Sequence, residues 1–314
     1  MSELCDVVNW EELRGSRLER LTEHMRKGDL DALLLQQLDN VRYVTDEGPF
    51  ESNSFQWLCC SALVLRSGEY VYFCPSCDQA PLKEFSPWIK HLKELPMAFE
   101  DQIPIFLNAF KEHGLQRARV GVDYTVFQLV DSLRKSFPQT EIVSAVELMN
   151  KTRAVKTPEE QKVVEEAVEL AEIGMRAALD NTREGLRERE VGAYAQAAMR
   201  REGAEYFPCY VQSGFKAAME TPDMRQDKRI RSGELVVLDI GCTFHGYVAE
   251  FTRTAVVGRP TDQQKEIYRI VYETMRETIK ALRPGVYSDG VDGVTRTMLR
   301  EAGMEAYLAM TMSS

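Results

Sequence analysis

The sequence predicts an α/β domain over residues 1–150 followed by an α+β domain over residues 151–314. Three observations carry that expectation. Short apolar runs alternate with helical patterns through the first half, which implies a sheet covered by helices. A strong helix start stands at Thr157-Pro-Glu-Glu, just after the expected boundary near residue 150. A hairpin pattern then fills Glu234 to Val257.

In chain order, Leu13, Leu18, Leu21 and Met25 recur at three- to five-residue steps among charges, which predicts a helix over 11–27. Leu30 to Leu35 reads as a buried strand, and Asp39-Asn-Val-Arg-Tyr-Val-Thr as a turn after it. Ser61–Leu65 and Glu69–Phe73 flank Arg66-Ser67-Gly68 and predict a hairpin. Residues 80–114 alternate helix-like and loop-like pieces. Ala118–Asp123 reads as a strand, Thr125–Ser136 as a helix and Glu141–Ser144 as one more strand. Thr157 can cap the next helix, Pro158 suits its first position, and Glu160 can close a capping box. Val163, Ala167, Leu170, Gly174 and Ala178 then follow at helical spacing. Further helices are expected over Arg187–Arg201, Asp262–Leu282 and Ser288–Ala302, the last two ended by Pro284-Gly285 and Gly303.

Composition excludes several classes. The chain is 44% hydrophobic and 28% charged, ordinary for a folded soluble protein, and its net charge is −10. An acidic surface argues against nonspecific nucleic-acid binding. No apolar run approaches the roughly 20 residues that span a bilayer. The start, Met-Ser-Glu-Leu-Cys-Asp, is no signal peptide, so a cytoplasmic protein is expected. Seven cysteines show no framework spacing, and reduced thiols are the default. Cys74-Pro-Ser-Cys77 has the spacing of a zinc or redox motif, but no second pair follows; it reads as small apolar residues at a strand end. Cys59-Cys60 reads as core.

The chemistry-bearing residues lie in the hairpin. Asp239 ends the apolar run Leu235–Leu238, and Glu250 lies in the β-rich run Tyr247–Val257. With Gly241 facing Gly246 across a turn, Asp239 faces Val248 and Glu250 is its diagonal neighbour, about 7–8 Å away. Two readings fit a bare pair of acids. Asp239 satisfies turn amides while Glu250 faces solvent, or the two carboxylates share a divalent cation. His245, in the turn, reads as an exposed residue.

The pattern Asp-x-Gly, then Gly-Tyr, then an acid, one residue and Thr-Arg-Thr resembles the signature of the Xaa-Pro aminopeptidase, prolidase and creatinase family, the pita-bread metallohydrolases of family M24. Lys151-Thr-Arg-Ala-Val-Lys-Thr-Pro-Glu-Glu resembles that family's domain junction, and Asn40-x-x-Tyr-x-Thr its N-terminal domain. The resemblance implies an α/β N-terminal creatinase-like domain followed by a partial α+β pita-bread domain. It implies that Asp239 and Glu250, eleven residues apart, are the acids that bridge divalent metal (manganese, zinc, cobalt or iron). It also implies a small-molecule or short-peptide substrate and a homodimer.

Three departures stand out. The second acid of the pattern is Asp in the family and Glu250 here. Relatives carry a His after the Ser213-Gly214 pair; none stands between Ser213 and Asp227, and Glu220 occupies roughly that place as a tentative catalytic residue. Relatives also continue beyond the point that corresponds to Ser314, where a His and two further Glu complete their metal site. The site is therefore expected to be incomplete in this sequence. Completion by residues beyond Ser314, completion by a second chain, and a pocket kept only for binding are the three explanations. Two functions follow: a divergent hydrolase of a peptide, small amide or amidine C–N bond, or a non-catalytic pseudopeptidase that binds peptides.

Overall fold

The structure is a computed structural model that describes residues 7–47, 60–219 and 222–307. Two compact units divide it: residues 1–170, 200–207 and 242–249 in the first, residues 171–199, 208–241 and 250–314 in the second.

The first unit begins with helix α1 (Trp10–Lys27), whose N-terminus is capped by the side chain of Asn9, which accepts from Glu12 N. Strand β1 (Ala32–Leu35) is buried at every position, because both faces of its sheet are covered. Around it come α2 (Leu38–Thr45), β2 (Ser61–Leu65), β3 (Tyr70–Cys74), α3 (Ser76–Phe85) and β4 (Leu92–Glu94). Then follow α4 (Phe99–Glu112), β5 (Arg119–Val122), α5 (Phe127–Ser136), β6 (Glu141–Ser144) and α6 (Val146–Ala154). The six strands order as β4-β3-β2-β1-β5-β6, with β2 antiparallel and β5 parallel to β1. Alternation along the strands sends Leu33, Leu35, Ala62 and Val64 to one core, with Leu21, Met25 and Met149. It sends Ala32, Leu34, Leu63 and Phe73 to the other, with Phe106, Phe110 and Leu133. This is the expected α/β layer.

Two differences from the sequence reading arise here. Residues 38–45 form a helix, not a turn. The Gln37 side chain caps it by accepting from Asn40 N, and the Asp123 carboxylate accepts from Gln36 N, Gln37 N and Asn40 Nδ2 at 2.8–3.1 Å. That partner lies far along the chain, so local pattern could not reveal it. The helix α6 was likewise not anticipated. Cys60 and Cys74 are buried as expected, whereas Cys77 is exposed; Cys59 lies outside the described residues.

Helix α7 (Pro158–Asn181) starts with the expected box: Thr157 N donates to Glu160 Oε2 at 2.7 Å, and Glu160 N to Thr157 Oγ1 at 3.2 Å. The second unit holds α8 (Glu188–Arg201), β7 (Tyr210–Ser213), α9 (Asp262–Ala281) and α10 (Ser288–Glu301). Within it Gly174 leaves room for Met199, whose Sδ would lie 2.5 Å from a Cβ there and would have to shift. Strands β8 (Leu235–Phe244) and β9 (Tyr247–Val256) form the hairpin, and the sheet order is β7-β8-β9. Along α9 an apolar row, Ile267, Val271, Met275 and Ile279, is 40–57% exposed.

The hairpin turn differs from expectation. It spans only His245 and Gly246, both at positive φ (45° and 82°), the geometry of a tight type I′ connection. Gly241 is therefore a buried strand residue, not a turn flank, and β8 runs on past Asp239 to Phe244. Among the described residues no helix is long and apolar enough to cross a membrane.

Candidate functional site

The shorter turn resets the register around Asp239. Counting back from His245-Gly246 places Thr252, not Val248, opposite Asp239. Consistently, Thr252 Oγ1 donates to Asp239 Oδ1 at 3.0 Å. On its other side Asp239 pairs with Tyr210 of β7. Glu250 remains a diagonal neighbour of Asp239, two residues from Thr252 on the same face. The slip is by an even number of residues, so the two acids stay on one face.

Their electrostatics show how close they are. Although Glu250 is exposed, loss of water around its carboxyl raises its pKa, and the negative charge of Asp239 raises it further. A proton shared between the two carboxyl groups is the metal-free way to relieve their repulsion. The same pair reaches Cys209, which is 5% exposed. Burial pushes its thiol up to about 11; the hydrogen bond it donates to Gly241 O opposes that rise, and the charges of Asp239 and Glu250 add to it. Cys209 is thus a protonated, unreactive wall of the site at neutral pH.

Two repelling carboxylates suit a divalent cation between them, since its charge replaces the shared proton. They do not close a site alone. Metal centres ordinarily draw three or more ligands from the protein, and among the described residues no group of three His, Cys, Asp or Glu is placed to hold a metal. The residues present fit the acidic half of such a centre and no more.

The loop after Ser213 is organised by a cluster that sequence reasoning missed. Glu188, at the start of α8, is fully buried. Its Oε1 accepts from Ser213 N and Ser213 Oγ, both at 2.8 Å, and its Oε2 from Lys216 Nζ at 3.2 Å. Lys216 also pairs with Asp223 at 2.6 Å, and Lys228 Nζ donates to Ser213 Oγ at 2.9 Å and to Glu234. The bond from Lys216 holds the Asp223 carboxyl down at about 2. Glu188 is one of two acids in the first turn of α8; only its burial distinguishes it, and no local pattern signals that. Glu220 lies outside the described residues.

His245 is not an exposed turn residue. Its ring lies 4.2 Å from the Trp10 ring and 4.7 Å from Phe244, centroid to centroid, and burial lowers its pKa. Arg253 serves the hairpin, donating to Thr252 O at 2.9 Å and covering the Phe251 ring.

Comparison with known proteins agrees with this architecture. Residues 17–155 match the creatinase/prolidase N-terminal domain, and residues 162–312 match metallopeptidase family M24. The Xaa-Pro dipeptidase of Pyrococcus horikoshii is 28% identical over 94% of this chain and 80% of its own length. That of Pyrococcus furiosus is 29% identical over 93% of this chain and 79% of its own. The crystal structure of the Pyrococcus horikoshii prolidase superposes with a TM-score of 0.77 at 27% identity, covering 93% of this chain and 79% of the other. About a fifth of each relative's own length thus lies outside the part matched here. With its N-terminal and C-terminal halves each matched and its fold shared, the chain belongs to the prolidase and creatinase family, metallopeptidase family M24.

Proposed function

We propose that the protein is a divergent hydrolase of a C–N bond, acting on a dipeptide or short peptide with proline second, and that Asp239 and Glu250 are acids of its metal site. The observation that carries this reading is the pair itself. Two carboxylates eleven residues apart lie diagonally on adjacent strands and on one face, and the charge of Asp239 raises the proton affinity of Glu250. The Xaa-Pro dipeptidases among the relatives support the substrate class. When bound, a divalent metal supplies charge that polarises a carbonyl and acidifies water. The chain's own contribution is to orient and to hold. Thr252 fixes one oxygen of Asp239. The Lys216–Glu188–Ser213 cluster ties the loop after β7 to α8. The same reading includes a cytoplasmic homodimer.

A second reading, a pseudopeptidase that binds peptides without cleaving them, is favoured by one observation: the acids find no third ligand among the described residues. The experiment that separates the two is hydrolysis of an alanyl-proline dipeptide with manganese present, followed by release of free proline. The hydrolase reading expects turnover in the native protein and a loss greater than about 100-fold in Asp239→Asn, since even outer contacts of metal sites are worth 10- to 100-fold. Binding of the dipeptide without release of proline would favour the pseudopeptidase.

A further inference from the structure

We propose that a cavity confined to the first unit binds a small organic oxyanion, a carboxylate or a phosphomonoester. The cavity measures about 580 Å³ and contains neither Asp239 nor Glu250 in its walls. That volume lies within the range of small-ligand sites. Nothing in the proposal depends on the hydrolase reading.

The walls are dominated by cations. Arg17, Arg42, Arg153 and Lys156 line the cavity, against the acids Asp39 and Glu160. The partners that neutralise Arg17 and Arg42 are Asp46 and Glu205, which are not wall residues. Glu160 is already committed: its oxygens accept from Thr157 N at 2.7 Å and from Tyr247 Oη at 2.6 Å, and its charge faces Arg20, which is not a wall residue, at 3.9 Å. Asp39 lies 3.6 Å from Arg153, a loose pair at half-exposed positions. Lys156 is exposed, has no acidic partner among the described residues, and donates only to Ala154 O at 3.3 Å. Positive charge is left over on the cavity side.

Unused donors lie in the same walls. Tyr43 is 6% exposed and its hydroxyl has no partner; Arg17 is 1% exposed and its Nε has none; Arg42 Nε has none. Buried donors are almost always satisfied, and a cluster of orphans points to a missing acceptor. The position of Arg17 is fixed before any ligand arrives. Its guanidinium sits between the rings of Tyr43 and Tyr247, at 5.5 and 5.2 Å from their centroids. It donates to Asp46 Oδ1 at 3.1 Å and to Tyr247 Oη at 2.9 Å. Planar guanidinium groups beside a phenol match the lone pairs of carboxylate and phosphate. His245, also in the wall, is held toward its neutral form by burial and adds no charge.

The test is calorimetric titration of the native protein at constant ionic strength with two probes, inorganic phosphate and acetate. Saturable binding of either supports the proposal. Phosphate alone assigns a phosphoryl ligand; acetate, with or without phosphate, admits a carboxylate. Tyr43→Phe removes only an oxygen that has no partner, so it should fold with an unchanged melting temperature while losing about fivefold in affinity, the worth of one hydrogen bond. Arg153→Gln and Lys156→Gln, at partly exposed positions, should each weaken binding by at least as much. Saturable binding of neither probe at millimolar concentration overturns the proposal, as does binding that is unchanged in all three variants.

Discussion

Glu250 lies diagonal to Asp239 on one face of the β8–β9 hairpin, and the Asp239 charge raises its proton affinity. The native state therefore binds a proton at Glu250 more tightly than the unfolded chain. Stability contributed by that proton is present below the unfolded pKa and is lost as pH rises through the folded value. At neutral pH the metal-free pair is a source of repulsion. Glu250→Gln should stabilise the chelator-treated protein at neutral pH by less than about 1 kcal/mol, because the group is exposed, and so raise its melting temperature. A lower melting temperature would show that the pair is not strained without metal.

The turn depends on Gly246. Its φ is 82°, and a Cβ there would lie 2.8 Å from Arg42 Cδ, displacing a side chain that pairs with Glu205. Gly246→Ala should cost about 2 kcal/mol, the penalty of a left-handed non-glycine residue together with that displacement. Urea denaturation monitored by fluorescence measures it.

Arg17 is a buried cation whose partners would be left behind by its removal. It pairs with Asp46, whose side chain is 5% exposed, and with Tyr247 Oη. Arg14 also reaches Asp46 at 3.1 Å, so the carboxylate keeps one partner. Arg17→Met should destabilise by roughly 3 kcal/mol, the low end for breaking a buried pair. The double variant with Asp46→Asn should recover part of that loss in the same denaturation series.

Acid should weaken the fold through His245. Burial lowers its folded pKa below the ordinary value, with Arg42 and Arg17 opposing its charge and Asp46 and Glu205 favouring it. The unfolded chain then binds more protons than the native state, so stability is present above about pH 6.5 and falls as pH drops through the folded pKa. His245→Asn keeps a residue tolerant of positive φ. It should flatten the slope of melting temperature against pH between about 6.5 and 5. An unchanged slope would assign the acid sensitivity elsewhere.

Much of this was legible in the sequence, and the reason differs by element. The Thr157–Glu160 box, the β2–β3 hairpin and the face shared by Asp239 and Glu250 rest on contacts within a few residues or on period-two alternation. The turn position was misread because Gly241 and Gly246 both look like turn residues, and only the backbone dihedrals decide between them. Even so, alternation kept the acids on one face. The helix at Leu38–Thr45 was lost because its start is held by Asp123. The Glu188 cluster was lost because burial of an acid is a tertiary fact with no local pattern. His245 was misjudged for the same reason, since Trp10 covers it from the other end of the unit's chain.

The most direct measurement is manganese content after equilibrium dialysis of the native protein, compared with Glu250→Gln. Stoichiometric manganese is expected in the native protein, with at least about tenfold weaker retention in the variant. Native protein that retains no more manganese than the variant would contradict the assignment of Asp239 and Glu250 as metal-holding acids.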